Sequence, residues 1–237
     1  MGGLIFNNRP LSGPTKRNMS EFEKTALNKV VRGPKRADYD EKTIFDIVDS
    51  HFLCHLAYVY EDTPIVIPTA YGRKGNTFFV HGSTKNRMIN FLLNNERVSL
   101  TVTHMDGIVL ARSVFHHSFN YRSAVIFGKP RLVTDWDEKM EALELITDNI
   151  IKGRWDEARI PNEKEMKGTA VMAIEMTEAS AKIRAEGAND EPEDMDLDVW
   201  AGVLPLHVGF SDAIRNDDCK EGLDLPASVK SFEFDPK

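Results

Sequence analysis

The chain has 237 residues, 41% hydrophobic and 28% charged, with a formal net charge of −7. That length can bury a core without disulfides or structural metals, which predicts a soluble globular protein with one main domain. The acid excess excludes a general nucleic-acid or anionic-membrane binder but leaves room for a local cationic seat for one small phosphate.

No apolar run approaches the ~20 residues of a membrane span, so no membrane association is expected. Cys54 and Cys219 lack CxxC or CxxH neighbours, which points to a reducing, cytoplasmic setting without a cysteine zinc site. Residues 1–39 are rich in Lys, Arg, Gly and Pro and read as a flexible basic arm. The main domain is expected over 40–208, with a polar tail over 209–237.

Asp40 is an N-cap candidate for a helix over Glu41 to His51, where Ile44, Ile47 and Val48 share a face. Runs of strand type follow at Phe52 to Tyr60, Ile65 to Tyr71 and Thr77 to His81, separated by turn-rich tetrapeptides. Ser83 then caps a helix with Met88, Phe91 and Leu92 on one side. Val98 to His104 alternates, and Asp106-Gly107 predicts a hairpin turn into Ile108 to Val114.

Further on, Ser123 to Phe127 and Arg131 to Val133 flank Gly128-Lys129-Pro130, and Asp135 opens the longest helix. Asn162 to Lys167 reads as a helical turn, Thr169 to Met176 and Ala181 to Ala185 as strands, and Val199 to Val208 as a final strand. Glu186 to Asp198, with seven acidic residues and no basic one, reads as a mobile solvated loop. Six to eight strands with singly inserted helices predict a mainly β, α+β fold, an antiparallel barrel with helices at its ends. There is no GxGxxG, P-loop or nucleophile elbow.

Two segments carry candidate chemistry. In His81-Gly82-Ser83-Thr84-Lys85-Asn86-Arg87, a strand runs into a helix with a small residue, hydroxyls and two cations, the materials of a phosphate cradle. Ser at an N-cap followed by charge also begins many ordinary helices. The second segment, Arg112 to Ser123, packs two Arg, His116, His117 and aromatic and small polar side chains into one connection. Adjacent histidines on extended chain point apart and no acidic ligand lies at metal spacing, so no metal site is expected. Hydrogen bonding to a ligand or a neighbouring subunit is the preferred reading.

Three blocks taken together, IPTAYGRKGNTFFVHGSTKNRM (Ile67 to Met88), DGIVLARSVFHHSFNYRSAVIFG (Asp106 to Gly128) and DVWAGVLPL (Asp198 to Leu206), resemble the flavin-nucleotide-binding branch of the pyridoxamine 5′-phosphate oxidase-like superfamily, nitroimidazole-resistance proteins included. The resemblance implies a six-stranded antiparallel split β-barrel of FMN-binding type, forming a homodimer with FMN at the subunit interface. It places His81, Gly82, Ser83, Lys85, Asn86 and Arg87 at the FMN phosphate and Pro68, Thr69 and Tyr71 beside the isoalloxazine. Ser118, Tyr121, Arg122 and Ser123 become the partner's share, with Trp200 as an aromatic wall. The tail SVKSFEFDPK lacks the Arg-Leu-x-Pro pattern of pyridoxamine-phosphate oxidases, so pyridoxal-phosphate synthesis does not carry over.

The implied function is an FMN-dependent oxidoreductase taking a hydride from NAD(P)H and passing electrons to a small-molecule acceptor. The alternative is a flavin-binding or haem-binding module without turnover, with His81, His116 or His117 as the axial ligand.

Overall fold

The computed structural model describes residues 20–232. Its centre is one antiparallel sheet. The strands are β1 (Ala37–Asp38), β2 (Leu53–Tyr60), β3 (Thr63–Ala70), β4 (Gly72–Lys74), β5 (Thr77–Ser83), β6 (Val98–Leu110), β7 (Ser118–Leu132), β8 (Thr169–Arg184) and β9 (Gly202–Pro205). They are joined in the order β3-β2-β6-β7-β8-β5-β4, with β1 added to β8 and β9 to β6.

The two edge strands, β3 and β4, are separated in sequence only by Tyr71. One residue therefore brings the sheet's opposite edges together without a hydrogen-bonded ladder between them, and the barrel is split there. Tyr71 is fully buried, and its hydroxyl donates to the carbonyls of Val48 and, at 2.8 Å, His51.

Helices seal the barrel. α1 (Glu41–Asp49) is capped by Asp40, whose carboxylate accepts from Thr43 N–H at 3.1 Å, and it sends Ile44, Ile47 and Val48 into the barrel core. α2 (Arg87–Leu92) contributes Met88, Ile89 and Leu92 to the same core. α3 (Trp136–Ile150), capped by Asp135, packs Ala142, Leu143 and Ile146 on Phe79, Val171 and Ala173, the outer faces of β5 and β8. Short helices α4 (Arg154–Glu157) and α5 (Glu163–Gly168) lead into β8, α5 through a capping box between Asn162 and Glu165. α6 (Ala227–Lys230) returns the C-terminal segment to α4, where Ser228 binds Glu157.

Several expectations change. The hairpin at Asp106-Gly107 is absent, because β6 runs straight through with a bulge between Met105 and Gly107. Gly107 is small because β9 crosses it, where a Cβ would lie 2.9 Å from the Leu204 carbonyl. Gly128-Lys129-Pro130 likewise lies within one strand, β7, at a bulge against β8. The separate strands expected from Thr169 to Ala185 are one 16-residue strand.

The basic arm is attached over its described part. Phe22 N–H bonds to Tyr39, Asn28 is buried with its amide on the Ala179 carbonyl, and β1 pairs with β8. Residues 1–19 and 233–237 of the expected arm and tail lie outside the described residues.

Candidate functional site

The strand-to-helix junction forms as a tight turn. Ser83 ends β5, and its Oγ accepts from Lys85 N–H at 3.2 Å. Asn86, not Ser83, caps α2, accepting from Met88 N–H at 2.9 Å. Ser83 is still paired to Thr169 in the sheet, which excludes it from the cap position. Thr84 N–H is tied to the Gly168 carbonyl at 3.0 Å, fixing the turn to the end of α5. Gly82 is packed so closely that a Cβ would sit 3.2 Å from Asn86 Nδ2.

His81, Ser83, Thr84, Lys85, Asn86 and Arg87 are exposed around this turn. Among the described residues neither Lys85 nor Arg87 is in an ion pair. α2 has only six residues and supplies little dipole, and the N–H groups of Thr84, Lys85, Asn86 and Met88 are spent within the turn, so the capacity for an anion rests on these side chains. Across the split, β3 touches β5. Pro68 is exposed there and Thr69 half-buried, its hydroxyl on the Ala70 carbonyl at 3.2 Å. Tyr71 contributes from beneath, as a buried strut whose phenol burial pushes well above its ordinary pKa.

The histidine-rich connection lies at the other end of the barrel. The turn after β5 meets β8 at Thr169 while Tyr121 meets it at Arg184, so the two sets lie against opposite ends of that 16-residue strand. One chain does not bring the two sets together. Within β7, Tyr121 and Ser123 alternate with Ser118 and Arg122 and so fall on opposite faces. Arg122 is held by Asp106 at 2.8 and 3.0 Å, and Ser123 Oγ reaches the Lys182 carbonyl at 3.5 Å.

Ser113 opens a single 3₁₀ turn, Val114 to His116. His117 Nδ1 lies 3.1 Å from the Ser113 carbonyl. A carbonyl only accepts, so Nδ1 carries the hydrogen and Nε2 of the neutral ring keeps its lone pair. His116 Nε2 instead approaches Glu191 at 3.5 Å. Val114 and Phe115 between them are 87% and 85% exposed.

The acidic segment after β8, expected as a mobile loop, is tied down beside this turn. Arg112 binds Asp190 through its backbone N–H at 2.7 Å and its guanidinium at 2.9 Å. Buried Arg184 holds the carbonyls of Glu186 and Gly187 at 2.9 and 2.8 Å. These anchors join residues remote in sequence, and acidic composition alone gives no sign of them. Trp200 then lies over Gly202, where a Cβ would meet its ring at 2.8 Å, and is itself 68% exposed.

A histidine pair lies under α1. Buried His104 donates from Nε2 to the Ile47 carbonyl at 2.9 Å, and its ring is 5.0 Å from that of His51. His51 Nδ1 accepts from Phe52 N–H at 2.9 Å. Burial first, and then His104 in the case of His51, holds both below the ordinary histidine pKa. His51 borders a cavity of about 420 Å³ with Asn149, Lys152 and Phe232. His55 instead stands on the exposed face of β2.

An antiparallel barrel split between β3 and β4, with a cationic turn beside the opening, defines the class of flavin-binding split barrels. The family model for pyridoxamine 5′-phosphate oxidase matches residues 40–183, and the chain belongs to that family. It is similar to the flavocytochrome Anf3 from Azotobacter vinelandii at 31% identity, with a TM-score of 0.83, over 88% of this chain and 97% of that one. It is also similar to the FAD and heme binding protein from Mycobacterium smegmatis at 32% identity, with a TM-score of 0.78, over 82% of this chain and 96% of that one. A candidate 5-nitroimidazole antibiotic resistance protein from Bacteroides thetaiotaomicron shares the fold at 22% identity and a TM-score of 0.54, over 62% of this chain and 86% of that one. No curated protein matches the chain. Among the described residues no helix is long and apolar enough to cross a membrane.

Proposed function

We propose that this chain is a flavin-dependent redox protein working as a homodimer, with the flavin phosphate held by the turn after β5. The observation that carries this reading is the exposed pair Lys85 and Arg87, neither in an ion pair among the described residues, beside Ser83, Thr84 and Gly82. A phosphate dianion there gains charge-assisted hydrogen bonds from both cations and the hydroxyls. Gly82 leaves room for Asn86 and Ile89 to pack onto β5, which sets the position of the turn, and Pro68 and Thr69 form the rim across the split. A bound flavin would supply the redox chemistry, accepting a hydride from a donor such as NAD(P)H and passing electrons to a small acceptor. The chain's own contribution is seating, orientation and shielding from water.

The separation of the cradle from Ser118, Tyr121, Arg122, Ser123 and Trp200 within one chain supports a second copy as their point of meeting. Leu53, Val59, Val66 and Met105 stand exposed on the strands β2, β3 and β6, an apolar surface suited to that contact. Arg122 is already committed to Asp106, which leaves Tyr121 and Ser118 as the freer donors. The main domain in this reading includes residues from Ser20 onward, because the arm and β1 are part of the β8 edge.

A second prosthetic group is the added reading. Two neighbours at 31% and 32% identity are described as a flavocytochrome and as an FAD and heme binding protein, and His117 offers an unspent nitrogen. The test is an absorption spectrum of the freshly purified protein, with extraction and identification of the chromophores. A flavin spectrum that survives desalting is expected, and extraction separates FMN from FAD. Loss of all flavin on desalting after incubation with excess FMN or FAD overturns the reading.

A further inference from the structure

We infer that His117 supplies the axial nitrogen to a haem seated on the apolar end of the β9-β6-β7 sheet. This rests on the added reading above and assigns its place. Three observations converge on that end of the barrel. The first is a row of apolar side chains in register across three strands, Leu204 beside Ile108 beside Phe119, all exposed on one face. Together these form a flat apolar shelf open to solvent. A porphyrin is a rigid planar ring with large apolar faces, and such a shelf is the surface it requires.

The second observation is the state of the His117 ring. Its Nδ1–H is spent on the Ser113 carbonyl at 3.1 Å, which fixes the tautomer and leaves Nε2 as the donor atom. Histidines that bind metals commonly have this arrangement, with the far nitrogen bonded to a backbone carbonyl that orients the ring and raises its basicity. Haem iron is commonly held by such a histidine. His116 differs, because its Nε2 faces Glu191 at 3.5 Å. His81 lies on the cradle at the opposite end of β8 and has no shelf of this kind.

The third observation is the exposure of Val114 and Phe115, 87% and 85%, on the one-turn 3₁₀ segment just before His117. Two large apolar residues at the tip of a connection lose contact with water only when something apolar lies against them. The turn is rigidly placed, since Ser113 caps it and Arg112 is fastened to Asp190 on its other side. The ligand atom and the apolar flank therefore sit on one preformed turn, which runs directly into the strand that carries Phe119.

The experiment is titration of haemin into the purified full-length protein, followed by absorption and fluorescence quenching, for wild type, H117A and H116A. Wild type is expected to take one haem per chain with a histidine-ligated Soret spectrum. H117A should bind more than roughly tenfold more weakly and lose that spectrum, and added imidazole should restore it. H116A should keep the wild-type spectrum. A thermal melt of H117A at the wild-type temperature separates loss of a ligand from loss of fold. If wild type binds haem and H117A keeps both spectrum and affinity, the assignment to His117 is wrong while the haem reading stands. If wild type takes up no haem, both fall, and the shelf is a contact for protein. The pair F115A and F119A tests the shelf independently of the iron, since weaker haemin binding with an unchanged Soret position is the expected outcome.

Discussion

Asp190 accepts the backbone N–H of Arg112 at 2.7 Å and its guanidinium at 2.9 Å, with only 2% of the aspartate side chain exposed. The contact joins the segment after β8 to the connection between β6 and β7, which no hydrogen-bonded ladder does. Burial acts to raise the Asp190 carboxyl, but the Arg112 guanidinium and the N–H groups of Arg112 and Ser113 together outweigh it and hold the group below its ordinary pKa.

Replacing Asp190 by alanine strands a partly buried guanidinium and frees the acidic segment. Removing Asp190 leaves the Arg112 guanidinium without its ion partner, which destabilises the folded chain. The loss is expected as a lower urea midpoint with an unchanged slope, and first proteolytic cleavage should move into residues 186–198. A midpoint within error of wild type would mean that the pair does not hold the segment.

Gly72 opens β4 directly beneath α3. A Cβ there would lie 2.6 Å from both the Ile146 nitrogen and the Leu145 carbonyl carbon, which are backbone atoms unable to turn aside. G72A should therefore cost about 1–3 kcal/mol through displacement of α3, despite being the smallest possible side-chain addition. G75A is the control for steric crowding, since nothing lies within 4 Å of its Cβ, although its positive φ carries a smaller strain. Chemical denaturation of both variants gives the comparison.

For the cradle, Arg87→Ala removes one charge-assisted contact to the proposed phosphate. Such contacts contribute about 1.5–3 kcal/mol, so flavin affinity should fall roughly 10- to 150-fold, as read by quenching of flavin fluorescence. Arg87 is exposed and forms no ion pair among the described residues, so stability should stay within about 0.5 kcal/mol of wild type. Equal flavin affinity in R87A and wild type would remove Arg87 from the site.

Local signals in the sequence were legible where structure depends on neighbours along the chain. Asp40, Asp135 and Asn162 cap the helices expected after them, because a cap needs only its own next three residues. The turn from His81 to Arg87 stood out for the same reason, being seven consecutive residues. Glycine misled at 107 and 128, since turn formation and close approach of a crossing strand use the same missing Cβ, and sequence does not say which. Ser83 misled because sheet pairing with Thr169 outcompeted its capping ability. Arg112 and Asp190 are 78 residues apart, and no spacing rule links an arginine in one loop to one of seven acids in another.

The His51 and His104 pair gives the chain a pH dependence whose sign follows from burial. Both rings are held below the ordinary value of 6.5, chiefly by desolvation, so they are neutral in the folded protein near neutrality. On acidification the unfolded chain takes up protons first, and stability rises with pH wherever the unfolded state binds more protons. The contribution is thus fully present above about pH 6.5 and is lost as pH falls below it towards the folded values. Melting temperature should decline between about pH 6.5 and pH 5, before most carboxylates titrate. H104Q keeps a donor for the Ile47 carbonyl but no titrating ring, and should flatten the decline, more so when combined with H51Q. A double variant with the wild-type slope would show that the pH dependence arises elsewhere.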